Sequence, residues 1–208
     1  MDALHKVACR GSSATSIDSD RLKAEAIAAA FAWCFYREFN TELVGGAPEP
    51  LYRPGSTTGP AQLMYREDFP ASALHEAAHW CIAGKARRQQ EDFGYHYIAG
   101  PRTAAQQAAF FALELRAQCL EKQFAKAAGL DFLPSADNFQ ADLVAFSARI
   151  RAFEPELSNW LVSPAGARAR RFIACLQRRF GDQSNRLASE TESNGDPGTA
   201  ALTGWGLD

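Results

Sequence analysis

Residues 70–84 read PASALHEAAHWCIAG, and the way this stretch folds decides how the rest of the chain is arranged. Pro70 suits the first turn of a helix, where its missing N–H costs nothing, Asp68 stands at the positive end, and Gly84 ends or loosens the last turn. Leu74, Ala77, Ala78, Trp80, Cys81 and Ile82 make this helix apolar nearly all round. A helix of that kind is buried rather than laid on a surface. Within it lies His75-Glu76-Ala77-Ala78-His79, an H-E-x-x-H. Residues four apart on a helix share a side, one turn apart, so both imidazoles can grip one metal ion. A surface helix with two incidental histidines would not carry this apolar girdle, and two buried histidines require partners. Glu76 projects about 100° away, placed to act as base or acid on a metal-bound water or to support a ligand.

A buried central helix needs cover, and the flanking sequence supplies it. Before it, RLKAEAIAAAFAWCFYREF has helical spacing of apolar residues from Asp20, a suitable N-cap, to about Phe39. Residues 45–60 hold Gly45, Gly46, Gly55 and Gly59 with Pro48, Pro50, Pro54 and Pro60, which predicts loop or a short strand around Leu51–Arg53. Residues 61–67 alternate loosely as a strand. After a polar, aromatic connection from Gln89 to Arg102, the apolar stripe Phe110, Leu113, Ala117, Leu120 and Phe124 recurs at 3, 4, 3 and 4, marking a long amphipathic helix closed by Gly129. Two more helices are expected at about 138–153 and 164–180. The fold class is therefore α+β: a helix-dominated single domain over residues 20–181, with a small strand element and a metal site between two helices. Residues 1–19 and 182–208, polar and rich in small residues, are expected to be a disordered leader and tail.

Composition narrows the function. The 208 residues are 47% apolar and 22% charged, with a net charge of -2, so no global charge favours nucleic acid or an anionic membrane. No stretch reaches the roughly 18 apolar residues of a membrane span, and the N-terminus lacks a signal peptide's apolar core. Five cysteines (Cys9, Cys34, Cys81, Cys119, Cys175), odd in number and never paired as C-x-x-C, point to a reducing cytoplasm rather than a disulfide framework or zinc ribbon. Cys81 reads as a small core residue. Only four histidines exist: His5, His75, His79 and His96. His5 lies in the leader, which leaves His75 and His79 to carry the imidazole chemistry.

Two histidines leave room for a third ligand, and the metal's identity turns on it. With Phe110 at 0° on the long helix, Glu114 falls at about 40° and Glu121 at about 20°, both on the margin of the apolar stripe. Glu91, Asp92 and His96 are further candidates, and spacing does not choose among them. Basic residues cluster in two places: Lys85, Arg87 and Arg88 directly after the H-E-x-x-H helix, and Arg168, Arg170, Arg171, Arg178 and Arg179 in the last helix. The first cluster is placed to contact substrate or partner. The second reads as a solvated helix face.

Three segments, FNTELVGGAPEPLYRPG (39–55), ASALHEAAHWCIAGKARRQQEDFGYHYIAGPR (71–102) and ALELRAQCLEKQFAKAAGLDF (112–132), together resemble the elongation factor P hydroxylase family. The likeness is strong over residues 39–132 and weaker over 138–180. It implies a helix-rich α+β fold and a two-histidine, one-carboxylate site that hydroxylates the β-lysylated lysine of elongation factor P. Carried over by position, His75 and His79 match the motif's histidines and Glu114 matches the downstream glutamate as third ligand, with Glu121 as fallback. His96 stands where the family usually has an aromatic, which makes it a poor ligand. The implied cofactor is Fe(II), with zinc possible in purified protein, and O2 is the co-substrate, since such a ligand set leaves up to three positions open. No feature signals a 2-oxoglutarate site. A long cationic substrate side chain calls for acceptors and aromatic walls, for which Glu76, Glu91, Asp92, Tyr95 and Tyr97 are candidates. Two rivals remain at this point: a zinc metallopeptidase with Glu76 as general base, and a non-catalytic, metal-stabilised binding module of the translation machinery.

Overall fold

The computed structural model describes residues 14–94, 103–134 and 143–193. In chain order it runs α1 (Ala14–Phe39), β1 (Thr41–Ala47), β2 (Leu51–Arg53), β3 (Ala61–Arg66), α2 (Pro70–Ile82), two short 3-10 turns (Arg87–Gln89 and Glu91–Gly94), α3 (Ala104–Ala127), α4 (Leu143–Val162), a 3-10 turn (Pro164–Gly166) and α5 (Ala167–Ser193). The protein is helix-dominated with one small sheet, as the sequence pattern predicts.

β3 is the middle strand, parallel to β1 and antiparallel to β2. Its side chains follow the period of two that a one-sided sheet requires: Ala61, Leu63 and Tyr65 are buried, while Gln62 and Met64 are only partly so. β1 was not foreseen. The short TELV run is followed by Gly45 and Gly46, which argue against a strand, and pairing with β3 overrides them. Gly45 has a packing reason, because a Cβ there would lie 2.6 Å from the Tyr65 hydroxyl oxygen.

α2 is the core helix its composition predicts. It packs against α1, α3, α5 and β3, and Ala73, Leu74, Ala77, Ala78, Trp80 and Cys81 are all essentially excluded from solvent. Trp80 sits within an aromatic cluster: the rings of Phe31, Phe35 and Phe39 lie 5.0, 4.7 and 5.2 Å from it, centroid to centroid. Phe172 of α5 meets Phe31 at 5.7 Å and Phe124 of α3 at 5.0 Å. Such edge-on and tilted pairs join four helices through one set of rings.

The helix ends differ in part from expectation. α1 begins at Ala14, inside the segment expected as leader, and Asp20 lies within the helix, where its carboxylate accepts from Lys23 at 3.3 Å instead of capping. Of the predicted leader, residues 1–13 lie outside the described residues. α3 opens with a capping box between Thr103 and Gln106. It closes as predicted at Gly129, with φ at 67° and bonds from Gly129 N–H to Lys126 and from Leu130 N–H to Ala125, the Schellman arrangement that glycine makes affordable. α4 runs on through Pro155 to Val162 rather than ending at residue 153, because buried Leu157 beyond the proline anchors the last turns to the core. Residues 138–142 of the predicted helix lie outside the described residues. α5 passes Gly181 and reaches Ser193, so residues 182–193 are helix where tail was expected. A single glycine with ordinary φ lowers helix propensity without breaking the helix.

No helix among the described residues is long and apolar enough to cross a membrane.

Candidate metal centre

Two helices build the site. α2 presents His75 and His79 from adjacent turns, with rings 4.7 Å apart and an interplanar angle of 75°. α3 packs across that face and brings Glu114 between them. Its two carboxylate oxygens each lie 3.4 Å from one histidine, Oε2 from Nε2 of His75 and Oε1 from Nε2 of His79. The two Nε2 atoms are 3.0 Å apart. Among the described residues, these three form the cluster able to hold a metal ion, with ligand atoms all within 4.8 Å of one another.

The residues fit a small divalent ion. Bonds of about 2.1 Å place neighbouring donors about 3.0 Å apart at right angles and about 3.4 Å apart at the tetrahedral angle. The two Nε2 atoms lie 3.0 Å apart and each lies 3.4 Å from a different oxygen of Glu114, while one donor atom from each residue falls within 4.8 Å of the others. Nitrogen and carboxylate donors of this kind suit iron or zinc better than calcium or magnesium. The site is also reachable, since the side chains of His75 and His79 keep 22% and 18% of their surface exposed.

Glu121, the other carboxylate at the margin of the stripe, has a different place. Its Oε2 accepts from Nδ1 of His75 at 2.8 Å, on the side of the ring away from Glu114. It therefore supports a histidine instead of replacing Glu114. Gln118 was missed in the sequence altogether: it is 1% exposed and hydrogen-bonds the Glu114 side chain. The signal was present, because Glu114, Gln118 and Glu121 stand at i, i+4 and i+7 on one face of α3.

The site is electrostatically tense without a metal. Burial opposes charge on His75, but its hydrogen bond to Glu121 and the charges of Glu121, Glu114 and Glu76 win, raising its pKa to about 10. For Glu114, burial pushes upward, yet His79, His75 and the Gln118 hydrogen bond hold the carboxyl at about 2. Glu76 is buried on α2 and its pKa is raised, first by burial, with His75 and His79 opposing and Glu114 and Asp92 adding to the rise. Three carboxylates around two imidazoles form the negative cage a cation would neutralise.

The remaining candidates are scattered. Asp92 is committed to structure: its Oδ1 accepts from the Tyr52 backbone N–H at 2.8 Å, and Phe93 stacks on Tyr52 at 4.3 Å. Asp92 and Phe93 adopt φ of 46° and 57° to make this clamp. Glu91 is exposed, and neither acid joins the cluster. Tyr95, Tyr97 and His96 lie outside the described residues, as do His5 and Cys9.

The basic segment after α2 also reads differently. The Arg88 guanidinium, expected to contact substrate, donates to the Ala83 carbonyl at 2.6 Å and lies 5.4 Å from the Trp80 ring. Arg168 donates to Cys81 and Ala83 at 3.0 and 2.6 Å and lies 5.1 Å from the same ring. Both satisfy carbonyls that the end of α2 leaves unpaired, where positive charge also suits the helix dipole. Arg87 donates to the Phe93 carbonyl at 3.0 Å, and Lys85 is exposed. Arg170 reaches the Leu161 and Ser163 carbonyls and Arg171 pairs with Glu38 at 2.6 Å. Arg170, Arg171, Arg178 and Arg179 are exposed, as a solvated helix face requires, while Arg168, Arg170 and Arg171 also tie the last helix to neighbouring elements.

Cys34, Cys81, Cys119 and Cys175 are buried and free. None belongs to the site.

The fold and the site define a helix-rich protein with a candidate two-histidine, one-carboxylate metal centre between α2 and α3. A family model described as elongation factor P hydroxylase matches residues 30–190, and the chain belongs to that family. A curated relative from Haemophilus influenzae, named elongation factor P lysine hydroxylase, is 45% identical over 121 residues, covering 58% of this chain and 68% of the relative.

Proposed function

We propose that this protein hydroxylates a lysine side chain of elongation factor P in its β-lysylated form, using Fe(II) held by His75, His79 and Glu114 and O2 as co-substrate. The observation that carries this reading is the convergence of those three side chains within 4.8 Å, in a chain 45% identical to a relative that bears the hydroxylase name. Bound Fe(II) would supply the activation of O2 for attack on an unactivated C–H bond, a task no side chain performs alone; with two electrons from an external reductant, one oxygen atom would enter the C–H bond and the other would leave as water.

The chain's own residues do the rest. His75 and His79 would supply two neutral donors from one rigid face, and Glu114 would supply one anionic donor. Gln118 holds the Glu114 carboxylate by a hydrogen bond. Glu76, buried beside both histidines, adds negative potential where a cationic substrate side chain would approach. Lys85, exposed at the end of the metal helix, is placed to meet an acidic partner surface. The protein would act in the cytoplasm, without nucleic acid or membrane as partner.

The test is anaerobic purification, loading with Fe(II), and incubation with lysylated elongation factor P, isotopically labelled O2 and a chemical reductant such as ascorbate, followed by intact-mass and peptide analysis. Gain of one labelled oxygen that requires iron and His75 supports the reading. A protein that holds zinc and cleaves peptides, or one that binds elongation factor P tightly without altering its mass, overturns it.

A further inference from the structure

We propose that Glu121 is the positioning residue of the metal centre: its carboxylate takes the Nδ1–H of His75 and thereby directs the Nε2 lone pair at the point shared with His79 and Glu114. The inference rests on the reading of this cluster as a metal centre and adds a role for a residue that is not itself a ligand.

The argument starts from the imidazole. A neutral ring carries one proton on one of its two nitrogens, and only the other nitrogen can bind a metal. For His75 the choice is visible in its surroundings. Nδ1 faces Glu121 Oε2 at 2.8 Å, a length typical of a charge-assisted hydrogen bond. Nε2 faces His79 and Glu114 at 3.0 and 3.4 Å. A carboxylate acceptor at Nδ1 holds the proton there, frees Nε2, fixes the ring about its own axis and makes the ligand nitrogen more basic.

The placement on α3 is equally specific. Glu121 follows Glu114 by seven residues, so it shares the same face of the helix about 10 Å further along the axis. It is 6% exposed, too buried to serve as a solvating surface acid. Gln118 lies between them and holds Glu114. One face of α3 therefore carries the third ligand, the residue that steadies it, and the residue that orients the first histidine.

The test is a Co(II) titration of the full chain, comparing the native protein with Glu121→Gln, Glu121→Ala and Glu114→Ala. A competing chromophoric chelator gives affinity, the visible Co(II) spectrum reports the ligand set, and circular dichroism with thermal melting checks folding. Glu121→Ala is expected to weaken Co(II) binding about 10- to 100-fold while keeping the native bands at saturation. Glu121→Gln, whose amide oxygen still accepts from Nδ1–H, should recover much of that loss. Glu114→Ala should change the bands themselves. If Glu121→Ala leaves affinity within about twofold of native, well below the effect of an orienting partner, the proposal is overturned. It is equally overturned if its saturated spectrum changes as that of Glu114→Ala does, since Glu121 would then be a ligand. Should Glu121→Ala not fold, Glu121→Met, which fills a similar volume without an acceptor, is judged by the same criteria. A native chain that binds no Co(II) overturns the metal centre together with this inference; a native chain that binds it, with unaffected Glu121 variants, overturns this inference alone.

Discussion

His75 and His79, four residues apart on α2, bring their Nε2 atoms to 3.0 Å, and the Glu114 carboxylate from α3 sets Oε2 3.4 Å from the first and Oε1 3.4 Å from the second. Three donors at this separation, two of them imidazole, have a cation as their natural occupant, and the consequences can be measured.

Removal of any corner should abolish stoichiometric metal. His75→Ala, His79→Ala and Glu114→Ala are each expected to lower Fe(II) affinity and hydroxylation by more than about 100-fold, beyond the 10- to 100-fold typical of supporting residues. Metal-to-protein ratios by mass spectrometry and oxygen gain by elongation factor P check this. A Glu114→Ala variant with full metal content would remove it from the ligand set.

Metal binding should release a proton. With its pKa raised to about 10, metal-free His75 is protonated at neutral pH, and an ion at Nε2 must displace that proton. Apparent affinity should therefore climb with pH up to about 10, and calorimetry in buffers of different ionisation heat should count about one proton near pH 7. The same shift makes a stability statement. The raised folded value contributes stability that is fully present below the unfolded value near 6.5 and is lost as pH rises through about 10. The metal-free protein should thus lose melting temperature on the alkaline side, and the metal-loaded protein should lose less.

Arg168→Ala should destabilise the fold by about 1–3 kcal/mol, through loss of the side-chain donor to the Cys81 carbonyl, an Ala83 carbonyl left to Arg88 alone, and lost packing over Trp80. Arg168→Lys should recover little, because an ammonium cannot serve Cys81 and Ala83 together while lying flat on the ring. Urea unfolding followed by circular dichroism reads both.

Cysteine labelling should divide the chain. Burial pushes the Cys34 and Cys81 thiols up to about 12 and Cys119 up to about 11, and Cys175 is buried beside them. In native protein these four should resist iodoacetamide at pH 8 and react only on unfolding. Peptide mass spectrometry that finds Cys81 alkylated in folded protein would contradict the packing of α2.

Much of this was legible locally. The apolar girdle of residues 74–82 dictates a buried helix, and a spacing of four puts His75 and His79 on one side of it, because both follow from 3.6 residues per turn. The Gly129 stop was legible for the same kind of reason. β1 was not, since Gly45 and Gly46 weaken its local preference and only pairing with β3 makes it a strand. Arg88 looked like a free cation because nothing in its neighbours along the chain reveals that Trp80 and the end of α2 await it.

The division between Glu114 and Glu121 states the limit most clearly. By itself the sequence determined that two imidazoles share a buried helix face and that two carboxylates lie within about 20° of each other on another helix. Angle around an axis is a local property of the backbone. Height along the axis, about 10 Å between these two residues, acquires meaning only when α3 docks across α2. That docking puts Glu114 level with both Nε2 atoms and Glu121 level with Nδ1 of His75.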